Sequence, residues 1–126
     1  MDLSNFDLKA NADRGFDVEV KNPIDGTDTD IIVSVVGSDS ARYRNANIAA
    51  MVEVPLDEGM PIQEKAAVVT KRFSLVLAAC VTGWAGIEID GKEIEYSPTS
   101  ALEVLGQYDW IADQLSEKIK NRENFA

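Results

Sequence analysis

From Leu75 to Val81 the chain reads LVLAACV, without a polar side chain. This run closes a longer stretch, Pro61 to Thr82, in which Ile62, Ala66, Val69, Phe73, Val76, Leu77 and Cys80 recur at the three-four spacing of a helix with one buried stripe. Glu64, Lys65, Lys71 and Arg72 solvate its first half. The second half is apolar on every side, and such a helix must be wrapped by other elements or by another subunit. The run is far too short to span a bilayer. Gly83 is expected to end the helix.

The remaining segments supply the wrapping. Phe16, Val18 and Val20 alternate with Asp17, Glu19 and Lys21, the period of a half-buried strand. Asn22 to Gly26 is a turn cluster, and the β-branched run Ile31 to Val36 is the expected partner strand. Ser38 or Asp39 then caps a helix whose face carries Ala41, Arg44, Ile48, Met51 and Val52, and Val54-Pro55 ends it. Beyond the long helix, Ile87 and Ile89 alternate with Glu88 and Asp90 and turn at Asp90-Gly91, a strong hairpin signal. Ile94 and Tyr96 lie on the return strand. Ser97-Pro98 reads as a helix start, with Ala101, Leu102 and Leu105 on one face and Gly106 at the end. A last helix opens near Asp109 and carries Trp110, Ile111, Leu115 and Ile119. Residues 1–15 are polar with isolated Leu3, Phe6 and Leu8, and read as a flexible arm. The expected class is α+β: antiparallel β-hairpins packed with about four helices in one domain over residues 16–126.

The chemistry-bearing residues are sparse. There is no histidine, which removes Ser-His-Asp and Cys-His arrangements and every His-containing zinc site. The one cysteine, Cys80, sits among Ala78, Ala79 and Val81, so it reads as a buried structural residue. The loop with Asp25, Asp28 and Asp30 fails the calcium-loop register, because the sixth and twelfth positions are Asp30 and Val36 instead of glycine and glutamate. Gly37-Ser38-Asp39-Ser40 lacks the further glycines and the lysine of a phosphate loop and reads as a cap. A net charge of −10 disfavours nucleic acid and anionic membranes as partners. Trp84 and Trp110 have two readings each, core residue or interface anchor. These features point to an interaction protein with no catalytic site, cofactor or metal.

One further pattern runs through the last third of the chain. Trp84 follows an apolar helix, the Asp90-Gly91 hairpin and the Ser97-Pro98 helix start come next, then Trp110-Ile111, then a terminal Asn124-Phe125. In order and spacing this resembles the tail assembly chaperones of long-tailed, siphovirus-type bacteriophages. The resemblance implies a protein of the host cell cytoplasm that binds the phage tape measure protein, helps recruit tail tube subunits and is absent from the mature virion. It also implies that a programmed translational frameshift can yield a longer form. On this reading the apolar half of the long helix and part of the C-terminal helical pair offer a hydrophobic surface, shared among copies or given to the partner. Phe73, Leu77, Trp84, Trp110 and Phe125 are the candidate interaction residues, and self-association is expected. Two other classes fit the composition: a structural head–tail or tail component of the virion, and an acidic inhibitor that mimics DNA.

Overall fold

Val18 and Val20 alternate inward along the first strand, β1 (Phe16–Lys21), and Val33 and Val35 do the same along the second, β2 (Asp28–Val35). The two strands pair antiparallel with Phe16 opposite Val35 and Val18 opposite Val33. The outward positions are polar apart from Ile32, and the Ser34 hydroxyl donates to the Asp17 carboxylate at 2.6 Å. A bulge between Glu19 and Lys21 breaks the ladder, and there the Thr29 hydroxyl bonds the Val20 carbonyl at 2.6 Å. The computed structural model describes all 126 residues of the chain.

The third strand, β3 (Val81–Ala85), pairs with the other side of β2, giving the order β1-β2-β3. It follows the long helix α3 (Ile62–Cys80) with no intervening loop. The helix therefore stops before Thr82, and Gly83 is a strand residue opposite Ser34 and does not cap α3. The reason is tertiary. β2 offers a free row of amides and carbonyls, Val81 and Thr82 suit a pleated strand, and the Val36 amide fastens the Cys80 carbonyl at 2.9 Å.

The inner face of this sheet, the second half of α3 and two C-terminal helices, joined by Val36, Ala50, Ile87 and Phe125, form one core cluster of 20 residues. Val76, Leu77, Ala78 and Cys80 enter it from α3. Helix α4 (Pro98–Gln107) contributes Ala101, Val104 and Leu105, whereas Leu102 faces outward. Helix α5 (Asp109–Lys120) contributes Ile111, Ala112, Leu115 and Ile119. The run Leu75–Val81 is thus wrapped within a single chain, and no second subunit is needed to cover it. The molecule is α+β, with the three-stranded sheet, a small second hairpin and five helices.

That second hairpin, β4 (Glu88–Ile89) and β5 (Lys92–Glu93), turns at Asp90 and Gly91, both with positive φ (53° and 79°). This is the two-residue turn the Asp-Gly pair predicts. Ser97 caps α4 through a reciprocal capping box with Ser100, and Pro98 occupies the first turn. At α2 (Ala41–Glu53) the cap is Ser40, one or two residues later than expected. Its buried hydroxyl accepts from the Tyr43 amide at 3.0 Å, and Asp39 is engaged elsewhere.

The two ends of the chain meet on one side of the fold. Phe125 is buried in a terminal 3-10 turn (Arg122–Phe125) and meets Phe16 edge to face at 5.9 Å. The N-terminal residues, expected to form a flexible arm, include a 3-10 turn (Leu3–Phe6) and a docked helix, α1 (Leu8–Arg14), which buries Ala12. Gly37 lies between them. A Cβ there would stand 3.0 Å from the Ala12 methyl and 3.0 Å from the Phe125 ring, tighter than nearly all side-chain contacts, so one neighbour would have to give way. Gln114 on α5 bonds both backbone groups of Lys21, accepting from the amide at 2.8 Å and donating to the carbonyl at 2.9 Å, so it pairs with edge strand β1 as a strand residue would.

Candidate functional site

Helices α2 and α3 run antiparallel and form an arm whose root lies in the core and whose tip does not. Two arginines fix their pairing. Arg42 donates from Nε to the Ala79 carbonyl at the end of α3, and Arg72 donates from Nε to the Val54 carbonyl, the C-cap of α2, at 2.8 Å. Each cation therefore sits at the negative end of the neighbouring helix. The α2 side of the seam is narrow: Tyr43, Ala46 and Ala50, at three-four spacing, with only Ala50 fully buried.

The face of α2 expected to pack inward is the one left in solvent. Ile48, Met51 and Val52 are 57, 59 and 78% exposed. The apolar stripe of α3 divides in the same way. Val76, Leu77 and Cys80 are buried, but Ile62 and Val69 are 84 and 58% exposed, and Ala66 and Phe73 are also in solvent. Leu56 in the connecting loop is exposed too. The surface continues to the root of α2, where Phe6, Leu8, Tyr43 and Ile48 help line a cleft of about 630 Å³ beside α1. Large side chains gathered on one appendage differ from the single exposed apolar residues that any soluble surface carries. Acidic residues border the tip, with Glu53, Asp57, Glu58 and Glu64 all exposed.

The five candidate interaction residues are dispersed by the fold. Phe73 alone lies on the uncovered surface, with the Lys120 ammonium 5.9 Å from its ring centre. Leu77 and Phe125 are core residues, 5 and 7% exposed. Trp84 is half-buried on the inner side of β3, opposite Val33. Its Nε1 donates to the Ile94 carbonyl at 2.8 Å and its ring lies 5.4 Å from that of Tyr96, which in turn donates to the Val81 carbonyl. It pins the second hairpin to the sheet. Trp110 is half-buried against the core. The α2 residues Ile48, Met51 and Val52 were missed as surface residues because side-chain size favours burying them over Ala46 and Ala50.

Cys80, Asp25 and Asp39 have structural settings. Burial pushes the Cys80 thiol up to about 11, so no thiolate nucleophile forms there near neutrality. Hydrogen bonds from the Thr27 hydroxyl and amide hold Asp25 below the ordinary carboxylate value and close the turn. Asp39 is held low by the Arg122 guanidinium, which grips it through Nε at 2.7 Å and a terminal nitrogen at 2.9 Å. No three His, Cys, Asp or Glu side chains converge as a metal site would require, and no helix is long and apolar enough to cross a membrane. Comparison of the chain with protein-family models, with curated proteins and with solved structures finds no match.

Proposed function

We propose that the chain is a tail assembly chaperone that binds the phage tape measure protein in the host cytoplasm, helps recruit tail tube subunits, and does not enter the mature virion. The observation that carries the reading is the uncovered apolar surface of the α2–α3 arm, presented by a fold whose own core is closed. A long helical partner buries its apolar stripe only after assembly, and until then that stripe invites aggregation. The arm offers what such a partner needs: anchors three and four residues apart along α3, beside a second, antiparallel exposed helix. The surrounding acidity keeps the loaded protein soluble. The contact surface in this reading is the first half of α3 with α2, because the run Leu75–Val81 is consumed by the core. The mechanism is reversible binding with no turnover. The same surface supports pairing between copies of the chain in the absence of partner.

Coexpression tests the proposal. The tape measure protein is expected to be mostly insoluble alone, more soluble with this protein, and to copurify with it at moderate salt. Serine at Ile62, Val69 and Met51 should abolish the rescue. Unchanged tape measure solubility with no complex would overturn the reading. Recovery of the chain in purified particles would instead place it among virion components.

A further inference from the structure

Where α3 passes α5, at the foot of the exposed stripe, the surface forms a groove of about 270 Å³. Leu77, Leu105 and Ala112 give it an apolar floor, Phe73 lines it from α3, and Asp109 and Asp113 line it from successive turns of α5. It is smaller than the sites that hold cofactors or drug-sized ligands, and it suits one long side chain. Asp109, in the first turn of α5, has a structural use at the positive end of that helix. Asp113 does not, and neither carboxylate is held in an ion pair within the chain.

We infer that this groove is the anchor point for a lysine or arginine on the helical partner, and the inference rests on the chaperone reading above. A lysine or arginine carries an apolar stem and a charged head, the two chemistries that the floor and the α5 wall present. A helix lying along Ile62, Val69 and Phe73 would continue directly into the groove. The partner segment is therefore amphipathic and basic: apolar residues along the arm, with a cation set among them where they reach α5. The acidic tip of the arm extends the same complementarity outward.

The test uses two synthetic amphipathic helices of about 18 residues, each with a leucine face and with either lysine or glutamate on the other side. Binding of the labelled peptides to the intact protein is followed by fluorescence anisotropy. The lysine peptide should bind the more tightly. Asp109→Asn with Asp113→Asn should weaken it roughly five- to tenfold, and Asp113→Asn alone should account for a measurable part of the loss. Glu93→Gln with Glu95→Gln removes the same charge from the exposed hairpin and should change binding less than about twofold, since screening limits distant charges. Circular dichroism confirms that each variant is folded. Equal losses in the two double variants, or none in either, would overturn the groove assignment. If serine at Ile62 and Val69 still abolished peptide binding in that case, the chaperone reading would stand without the basic anchor. If tape measure solubility also failed to respond in coexpression, both would fall.

Discussion

Arg72 on α3 donates from Nε to the backbone carbonyl of Val54 at 2.8 Å, where α2 ends. With the matching bond from Arg42 to Ala79, it fixes how far α2 and α3 overlap and hence which residues of the arm remain outside. The carbonyl is an orphan of the helix end and the donor is charged, the stronger kind of hydrogen bond.

Removing that donor should loosen the arm more than the core. Arg72→Ala is expected to destabilise the protein by about 1–2 kcal/mol. Amide exchange should accelerate most in α2 and in the first half of α3. A denaturant titration with unchanged slope measures the first effect, and residue-resolved hydrogen exchange measures the second.

The exposed and buried parts of one stripe should respond differently to truncation. Ile62→Ser and Val69→Ser are expected to change stability by no more than about 0.5 kcal/mol. Leu77→Ala, a few turns further along the same helix, should cost about 2–5 kcal/mol. Denaturant midpoints for the three variants check this, and light scattering should show less self-association in the serine variants.

Phe125 and Gly37 form a tight contact where the two ends of the chain meet. Phe125→Ala should destabilise by about 3–5 kcal/mol through the cavity it leaves against Phe16. Gly37→Ala should cost about 1–3 kcal/mol by overpacking the same place. If the two act through one site, their effects will not add, and the double variant in a thermodynamic cycle reports the coupling.

Acid should weaken the junction between Asp39 and Arg122. The carboxyl titrates below its ordinary 3.8 in the folded protein because the guanidinium holds it ionised. Between the folded and unfolded values the unfolded chain binds more protons, so stability rises with pH there. The contribution is fully present above the unfolded value of about 4 and is lost as pH falls through the folded value. Asp39→Asn should therefore lose stability near neutrality and show a shallower acid limb than the parent. Carboxyl chemical shifts followed by NMR, with stability measured against pH, test both statements.

Local chemistry made part of this fold legible in the sequence. Asp90-Gly91 is a turn because both residues take positive φ, and Ser97-Pro98 starts a helix because one residue caps and the other cannot donate. Spacing identified Ile111, Leu115 and Ile119 as inward residues of α5, but not Ala112, and Trp110 is only half-buried. What escaped depended on neighbours distant in sequence. Val81 and Thr82 continue a helical pattern as readily as they begin a strand, and only the open side of β2 decides. On α2 Tyr43, Ala46 and Ala50 pack, while Ile48, Met51 and Val52 do not, the reverse of what the size of those three aliphatic residues suggests. Two of the candidate interaction residues, Leu77 and Phe125, are buried for the same reason. The most apolar part of α3 attracted attention, yet it is the part the core uses, and the less conspicuous first half faces outward.

The bonds from Gln114 to Lys21 have a consequence for when this molecule can form. They join positions 93 residues apart, and the Ser38 amide bonds Ile119 at a similar remove. The first hairpin therefore emerges from the ribosome long before the helix that locks its outer edge exists. Contacts of such sequence separation are entropically dear and form late. During synthesis the β1–β2 pair has an open outer edge, and α5 closes that edge and completes the cover over the inner valines. Removing that last helix would thus leave the earliest-made part of the protein unfinished.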